Sequence, residues 1–410
     1  MLIAIITILI ASYLFERYIE WINSKTWNDK LPVSLENFYD QDEYSKAQKY
    51  DRAKLRLSAV GSSLSLLLML LFLSSGSFAL VDTWAKHQSS ELIIQTILFF
   101  GVLALVSDIL QMPFSIYKTF VIEEQFGFNR STIKTFFMDK LKGYILAALL
   151  GGSLLALFVL FFEIAGKNFW WIAWLSISGV SLLISMFYTS WILPMFNKLS
   201  PLPDGELRAR LQDYCKKVGF PVADLYVMDG SKRSSKANAF FSGLGPKKKI
   251  VLFDTLIEKH STDELVAVMA HEVGHYKKKH TRLMVIVSML QTGFMLALFS
   301  RVITNPELAH ALGANQPSLA LGMMAFAILY SPVSLALGIL TNALSRKHEY
   351  EADAYAASTF NAEPLMDALK KLSHDNLSNL QPNRWYVRIY YSHPTLLQRL
   401  AQLKLLIKNQ

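Results

Sequence analysis

The chain has 410 residues, 52% of them hydrophobic and only 18% charged, with a mean hydropathy of +0.28 and a formal net charge of +9. Soluble proteins carry about 25% charged residues, so a globular surface of this size could not be covered, and intrinsic disorder and a collagen repeat are excluded as well. Cys215 is the single cysteine, which removes a disulfide-stapled secreted fold and leaves a membrane protein.

A helix needs about 20 predominantly apolar residues to cross about 30 Å of hydrocarbon. Seven segments qualify, near 1–22, 59–81, 92–112, 143–166, 168–194, 283–303 and 319–341. The first reads as a retained helix and not a cleaved signal, because no basic residue precedes its apolar run and no small-x-small site closes it. All but three of the 41 lysines and arginines fall in 16–58, 113–143, 195–282 and 342–410, the exceptions being Lys86, Lys167 and Arg301. Basic residues stay on the cytoplasmic side, which puts the N-terminus outside and the C-terminus inside. The same distribution accounts for the positive charge without nucleic acid, since the cations track loops and do not form a reading face. Lys247, Lys248 and Lys249, and Lys277, Lys278 and Lys279, face solvent or anionic lipid headgroups on this reading.

The expected organisation is mainly α: five membrane helices with cytoplasmic loops in 1–194, a cytoplasmic segment in 195–282, membrane helices six and seven in 283–341, and a second cytoplasmic segment in 342–410. The two cytoplasmic segments are long enough to fold together as one split module. In the first, Leu207, Leu211, Tyr214, Cys215 and Val218 recur at helical spacing. Asp224–Met228 and Lys249–Phe253 read as short strands, and Gly230, Gly243, Gly245 and Pro246 mark turns. Ser261 with Glu264 fits a capping box, opening a helix that continues to Lys279.

That helix carries His271-Glu272-Val273-Gly274-His275. Histidines four apart share one helical face, so both imidazoles can bind one zinc while Glu272 reaches the attacking water. Zinc lowers the pKa of a bound water to about 7, and a carboxylate within hydrogen-bond reach then accepts its proton. Two ordinary surface histidines are the plainer alternative. A catalytic zinc also needs a third protein ligand and an open position. Directly after the seventh span the chain reads Ser345-Arg346-Lys347-His348-Glu349-Tyr350-Glu351-Ala352-Asp353, and this segment can return beside the HEVGH helix as an antiparallel neighbour. Glu349 and Asp353, four apart, suit a ligand and an orienting partner; His348 and Glu351 stay open as alternatives, although a continuous helix turns Glu351 about 200° from Glu349, towards solvent.

With HEVGH, the SRKHEYEADAYA run at 345–356, FVIEEQFGFNRST at 120–132, NAFFSG at 238–243, KKIVLFDTL at 248–256 and SHPTLLQRL at 392–400, the chain resembles the type I CAAX prenyl protease family of integral-membrane zinc metalloproteases. The resemblance spans nearly the whole sequence. It implies His271, His275 and Glu349 as ligands of one zinc per chain, Glu272 as general base and Asp353 as support. It also implies helices around a water-filled intramembrane chamber with the site at its cytoplasmic end. Asn238 would bind the substrate backbone or the developing oxyanion, with Ala239 and Phe240 in an extended segment suited to pairing with a peptide; a turn asparagine is the alternative. His393 would donate to the tetrahedral intermediate, against a plain helix-entry histidine before Pro394, and Arg399 would pair with Asp353 or Glu349.

His87, His260, His280, His310 and His374 lack partners at metal-binding spacing and read as surface or interfacial, with His280 facing away from His275. Asp108 and Glu163, near span ends, are candidates for lining an aqueous interior, whereas Glu123, Glu124 and Arg130 fix a cytoplasmic loop. The expected activity is hydrolysis of an amide near the C-terminus of a CAAX peptide, with an isoprenoid on its cysteine implied by the resemblance. Membrane lipids are the other expected partner, and the pattern fixes no oligomeric state. The rivals are a general membrane quality-control metalloprotease and a channel or transporter with a structural zinc. Leu406–Gln410 lack a dilysine tail, which tilts the expected location towards a bacterial cytoplasmic membrane over the endoplasmic reticulum.

Overall fold

The computed structural model describes residues 1–27, 30–242 and 248–408. Gly243, Gly245, Pro246 and Lys247, on which part of the turn and basic-run expectations fall, lie outside them. Among the described residues, seven helices are long and apolar enough to cross a membrane: α1 (Leu2–Lys25), α2 (Gln41–Ser74), α4 (Leu92–Glu123), α5 (Ile133–Ala165), α6 (Phe169–Phe196), α10 (His280–Val302) and α12 (Leu319–Thr359), with the short α3 (Ser77–Gln88) between α2 and α4. The expected second span, 59–81, is shorter at its outer end. Gly76 takes φ +67, a left-handed turn that only glycine adopts freely, so α2 stops at Ser74 and α3 folds back. There Asp82 accepts from Ser318 at 2.6 Å and pairs with Lys86 at 2.7 Å, tying the turn to the start of α12.

Several of these helices also run beyond their apolar cores. α2 starts at Gln41 with an Asp40–Glu43 capping box, and α12 continues 41 residues without a break, so the run after the seventh span is a rigid extension of a membrane helix. α1 is built into the bundle: Ile5 and Ile19 are buried and Asn23 Oδ1 accepts from the Asn383 backbone at 2.8 Å.

The accessible surface is 21180 Å², whereas a compact soluble protein of this mass would expose about 16,000 Å². The excess has two sources. The apolar windows of the spans are only 6–22% buried, their Leu, Ile and Trp side chains facing outward as lipid requires. Polar side chains meanwhile turn inward: Ser58, Ser62 and Ser65 of α2 with Gln111 and Ser115 of α4 line a cavity of about 530 Å³, and Gln291, Ser334 and Asn342 border another of about 340 Å³ between α10 and α12. Leu64, Leu68, Leu110 and Phe114 share the lining of the larger cavity, so its walls are mixed, polar groups among apolar ones. Asp108 bonds Lys140 and Tyr144, each at 2.5 Å, joining α4 to α5.

Outside the membrane-spanning segments, the described residues form a module with a four-stranded sheet of β1 (Leu199–Pro201), β2 (Val222–Met228), β3 (Ala239–Ser242) and β4 (Lys248–Phe253) in the order β1-β2-β4-β3. β2 and β4 are parallel and β3 is antiparallel to β4, so β3 is an edge. α7 (Glu206–Lys217) and α8 (Asp254–Lys259) flank this sheet, and α9 (Thr262–Lys277) follows. One apolar core takes Leu211, Cys215, Leu225, Ile250, Leu252, Leu265 and Met269 from the segment before α10 and Ala356, Leu365, Leu400 and Leu403 from the second segment, at the end of α12 and beyond. The second segment supplies α13 (Ala362–Asp375), α14 (Arg384–Tyr390) and α15 (Leu396–Lys408). Glu123 anchors the loop side of the module, accepting from Tyr50 at 2.5 Å and Lys236 at 2.8 Å.

Candidate metal centre

α9 opens with both bonds of the Ser261–Glu264 capping box, and Glu264 is held by Lys371 of α13 at 2.7 Å. Leu265 to Ala270 are all buried, an all-round apolar run that belongs inside a module and not on its surface. His271 and His275 follow, one turn apart. Across from them, His271 meets Asp353 and His275 meets Glu349, so α9 and the end of α12 run antiparallel. Gly274 lets them approach: a Cβ there would lie 3.0 Å from the Ala352 Cα and 3.1 Å from the Tyr355 Cβ.

The ligand atoms of His271, His275 and Glu349 all lie within 4.8 Å of one another. His271 Nε2 and His275 Nε2 are 3.1 Å apart, and they sit 3.4 and 3.3 Å from the Glu349 oxygens. Zinc bonds of about 2.0–2.2 Å in tetrahedral array put ligand atoms about 3.3–3.6 Å apart, so the set has the dimensions of one zinc. Glu349 is buried, and its Oε2 makes no hydrogen bond among the described residues; Arg399 Nη1 and His271 Nε2 each lie 3.4 Å from it, at ion-pair distance, which leaves acceptor capacity for a cation.

The surroundings orient the set. Asp353, fully buried, accepts from His271 Nδ1 at 2.8 Å, which leaves His271 Nε2 turned to the cluster. Arg399 of α15 forks onto both Asp353 oxygens at 2.6 and 2.8 Å and lies 3.4 Å from Glu349, so it serves both carboxylates. Burial alone would depress the His271 imidazolium, but hydrogen bonds to Asp353 and Glu349 outweigh it and raise its pKa to about 9; the site attracts positive charge. His393, largely exposed, brings Nε2 within 3.3 Å of Glu349 Oε1. Glu272 is half-buried beside the cluster and makes no hydrogen bond or ion pair with any described residue, leaving its carboxylate free.

The remaining candidates sit apart from the ligands. Asn238 is exposed; its Oδ1 accepts from the Ala239 N–H at 2.9 Å and its carbonyl from the Phe253 N–H at 3.1 Å. Phe240 packs edge-on to Phe253, so its ring serves the sheet. β3 itself lies against α9.

Several of the remaining residues depart from expectation. His280 is buried, and does not face away: its Nδ1 is 3.1 Å from His275 Nδ1. The physical reason is a helix break, since α9 ends at Lys277 and Lys279 takes φ +61, returning the chain towards His275. Glu351 is not simply solvated but accepts from His280 Nε2 at 2.8 Å, and His348 is no ligand here, its ring lying flat on that of His280 at 4.0 Å. His260 is likewise buried, bonded to the Leu256 carbonyl, and His374 pairs with Glu43 at 2.7 Å. Nothing local in the sequence marks the left-handed Lys279, so His280 could not be placed from spacing.

Two inward histidines, a buried carboxylate and an unpaired glutamate beside them, at the foot of seven membrane helices, define a membrane metallopeptidase. Residues 20–198 match the model of the CAAX prenyl protease N-terminal region, five membrane helices, and residues 201–407 match that of peptidase family M48. A crystal structure of Ste24p from S. mikatae superposes with a TM-score of 0.93 at 35% identity, covering 98% of both chains. CAAX prenyl protease 1 of Saccharomyces cerevisiae is 35% identical over 96% of this chain and 93% of its own length, and the mouse CAAX prenyl protease 1 homolog is 32% identical over 96% and 93%. The chain belongs to peptidase family M48, within its CAAX prenyl protease branch. It is a multi-pass membrane metalloprotease that acts on a peptide or protein substrate, and the channel and transporter reading is not favoured.

Proposed function

We propose that this protein removes the C-terminal residues of isoprenylated CAAX peptides presented from the cytoplasm, using one zinc held by His271, His275 and Glu349. The observation that carries the assignment is the convergence of those three side chains at zinc-ligand spacing, with a buried Glu349 carboxylate between the two imidazoles. The names of the relatives support the substrate class. The concentration of basic residues in the cytoplasmic loops supports the orientation, N-terminus out and site facing in. The parts divide as the sequence suggests: 1–194 and 283–341 supply the membrane helices, 195–282 and 342–410 the protease module. Lys277, Lys278 and Lys279, all exposed, border the start of α10 and meet anionic headgroups.

When bound, zinc would supply a Lewis acid that polarises the scissile carbonyl and acidifies a water. Glu272 takes the proton of the attacking water and delivers it to the leaving nitrogen, a role its unpaired carboxylate leaves open. His393, on the exposed side of Glu349, donates to the oxygen on which charge develops, and Asn238 holds the substrate backbone or adds a second donor. The peptide pairs along β3, whose outer edge has no partner strand among the described residues. Asp353 and Arg399 hold His271 and Glu349 in place.

Wild type and Glu272→Gln, purified in detergent, would be assayed on a farnesylated CAAX peptide and its unlipidated twin. Cleavage of the lipidated peptide alone, lost in the variant with zinc retained, is expected. Equal cleavage of both peptides would remove prenyl specificity and favour the quality-control reading; activity retained by Glu272→Gln would overturn the assignment of the base.

A further inference from the structure

The two histidine ligands are supported unequally by carboxylates. His271 has Asp353 directly on Nδ1, whereas no carboxylate reaches Nδ1 of His275; its neighbour is Nδ1 of His280 at 3.1 Å. We propose that His280 and Glu351 form a relay that fixes the orientation and tautomer of His275, making His280 a positioning residue of the metal centre. The inference rests on the reading of His275 as a metal ligand.

The argument follows the protons. The Glu351 carboxylate has only acceptor oxygens, so the 2.8 Å bond from His280 Nε2 to Glu351 Oε2 carries the proton on His280. A neutral imidazole with its proton on Nε2 has a bare Nδ1, which can only accept. The short Nδ1 to Nδ1 contact therefore uses the proton of His275, and His275 is left with a bare Nε2. That nitrogen is the one lying 3.1 Å from His271 Nε2 and 3.3 Å from Glu349 Oε1, aimed into the cluster. The opposite tautomer would point an N–H at the metal and could not ligate.

The surroundings fix the relay in place. His280 is buried as the first residue of α10, and His348 stacks on it at 4.0 Å with an interplanar angle of 8°, setting the plane of the His280 ring. His348 and Glu351 share the cytoplasmic extension of α12 with Glu349. The segment after the seventh span therefore supplies a ligand to the metal and, from another face, the support of a ligand on the opposite helix.

The test is zinc affinity, measured in detergent by competition with a chromophoric chelator, together with the visible spectrum of the cobalt-substituted protein. His280→Leu keeps the bulk and removes the acceptor, and is expected to weaken zinc about 10–100-fold, the usual cost of losing an outer hydrogen bond to a ligand histidine. His280→Asn places an amide oxygen where Nδ1 stood and is expected to restore affinity to within about threefold of wild type, with the cobalt spectrum restored too. Glu351→Ala, at a partly exposed position that tolerates truncation, is expected to cost about tenfold and tests the relay if His280→Leu fails to fold. Zinc affinity within about twofold of wild type in Glu351→Ala and His280→Leu would overturn the proposal, as would a folded His280→Asn no better than His280→Leu. His275→Ala separates the two readings: if it retains zinc, the ligand assignment itself fails; if it loses zinc while the other variants keep it, only the relay fails.

Discussion

Gly274→Ala tests whether the close approach of α9 and α12 sets the dimensions of the metal centre. The added Cβ would meet the Ala352 Cα at 3.0 Å, the Ala352 carbonyl oxygen at 3.1 Å and the Tyr355 Cβ at 3.1 Å. Carbon atoms are comfortable at about 3.5–4.0 Å, so the helices must part by about 0.5 Å, and the atoms in the way are backbone or the base of a side chain, with no flexible end to swing aside. Alanine gains about 1 kcal/mol over glycine in helix propensity, while overpacking costs about 1–3 kcal/mol, so the net loss of stability is at most about 2 kcal/mol. At roughly 2–4 °C per kcal/mol for chains of 150–250 residues, melting is a blunt readout. The metal centre is a sharper one. The His271–Glu349 and His275–Glu349 contacts, 3.4 and 3.3 Å, would open to about 3.9 Å, beyond the roughly 3.3–3.6 Å that tetrahedral zinc spans. Zinc affinity, from chelator competition, is expected to fall about 10–100-fold, with a parallel loss of peptide cleavage at limiting zinc. A folded variant that holds zinc within about twofold of wild type would show that the helices separate without opening the ligand set, and the reasoning would fail.

Glu349→Ala removes the ligand from α12, and its zinc content after dialysis should fall towards zero by elemental analysis; full occupancy would return His348 or Glu351 to consideration as the ligand. Arg399→Ala leaves the buried Asp353 without its forked cation, and breaking a buried pair from one side costs about 3–5 kcal/mol, so thermal unfolding should shift by many degrees; an unchanged melt would mean water replaces the guanidinium. Burial pushes the Cys215 thiol up to about 11, which at pH 8 leaves it roughly 200-fold less thiolate than a free cysteine. Maleimide labelling of the folded protein should accordingly be slow and become fast in denaturant, and rapid labelling without denaturant would contradict the packing of the module core.

The membrane-spanning segments and the facing histidine pair were legible in the sequence because both are local. Apolar length decides whether a helix can span lipid, and four-residue spacing decides whether two histidines share a face; neither needs knowledge of what packs nearby. Several boundaries were less legible because apolar content does not mark where a helix ends: α2 stops at Ser74, just before the left-handed Gly76, and α12 runs past its apolar span because nothing in SRKHEYEADAYA breaks it.

The third ligand was narrowed by pattern and resemblance, but its place is a property of two helices separated by about 80 residues and pressed together at Gly274. The expected pairing of Arg399 with Asp353 or Glu349 is met as a fork onto Asp353, and tertiary structure alone shows Phe240 packed on Phe253 and β3 at the sheet edge. It alone returns His280 to His275, since one left-handed residue, Lys279, redirects the helix that follows and overrides the periodicity from which spacing arguments proceed. Sequence determined which chemical groups this protein carries and how the chain is threaded through the membrane; packing between distant segments decided which of those groups meet, because contact across a core depends on backbone turns and close approaches that no local pattern encodes.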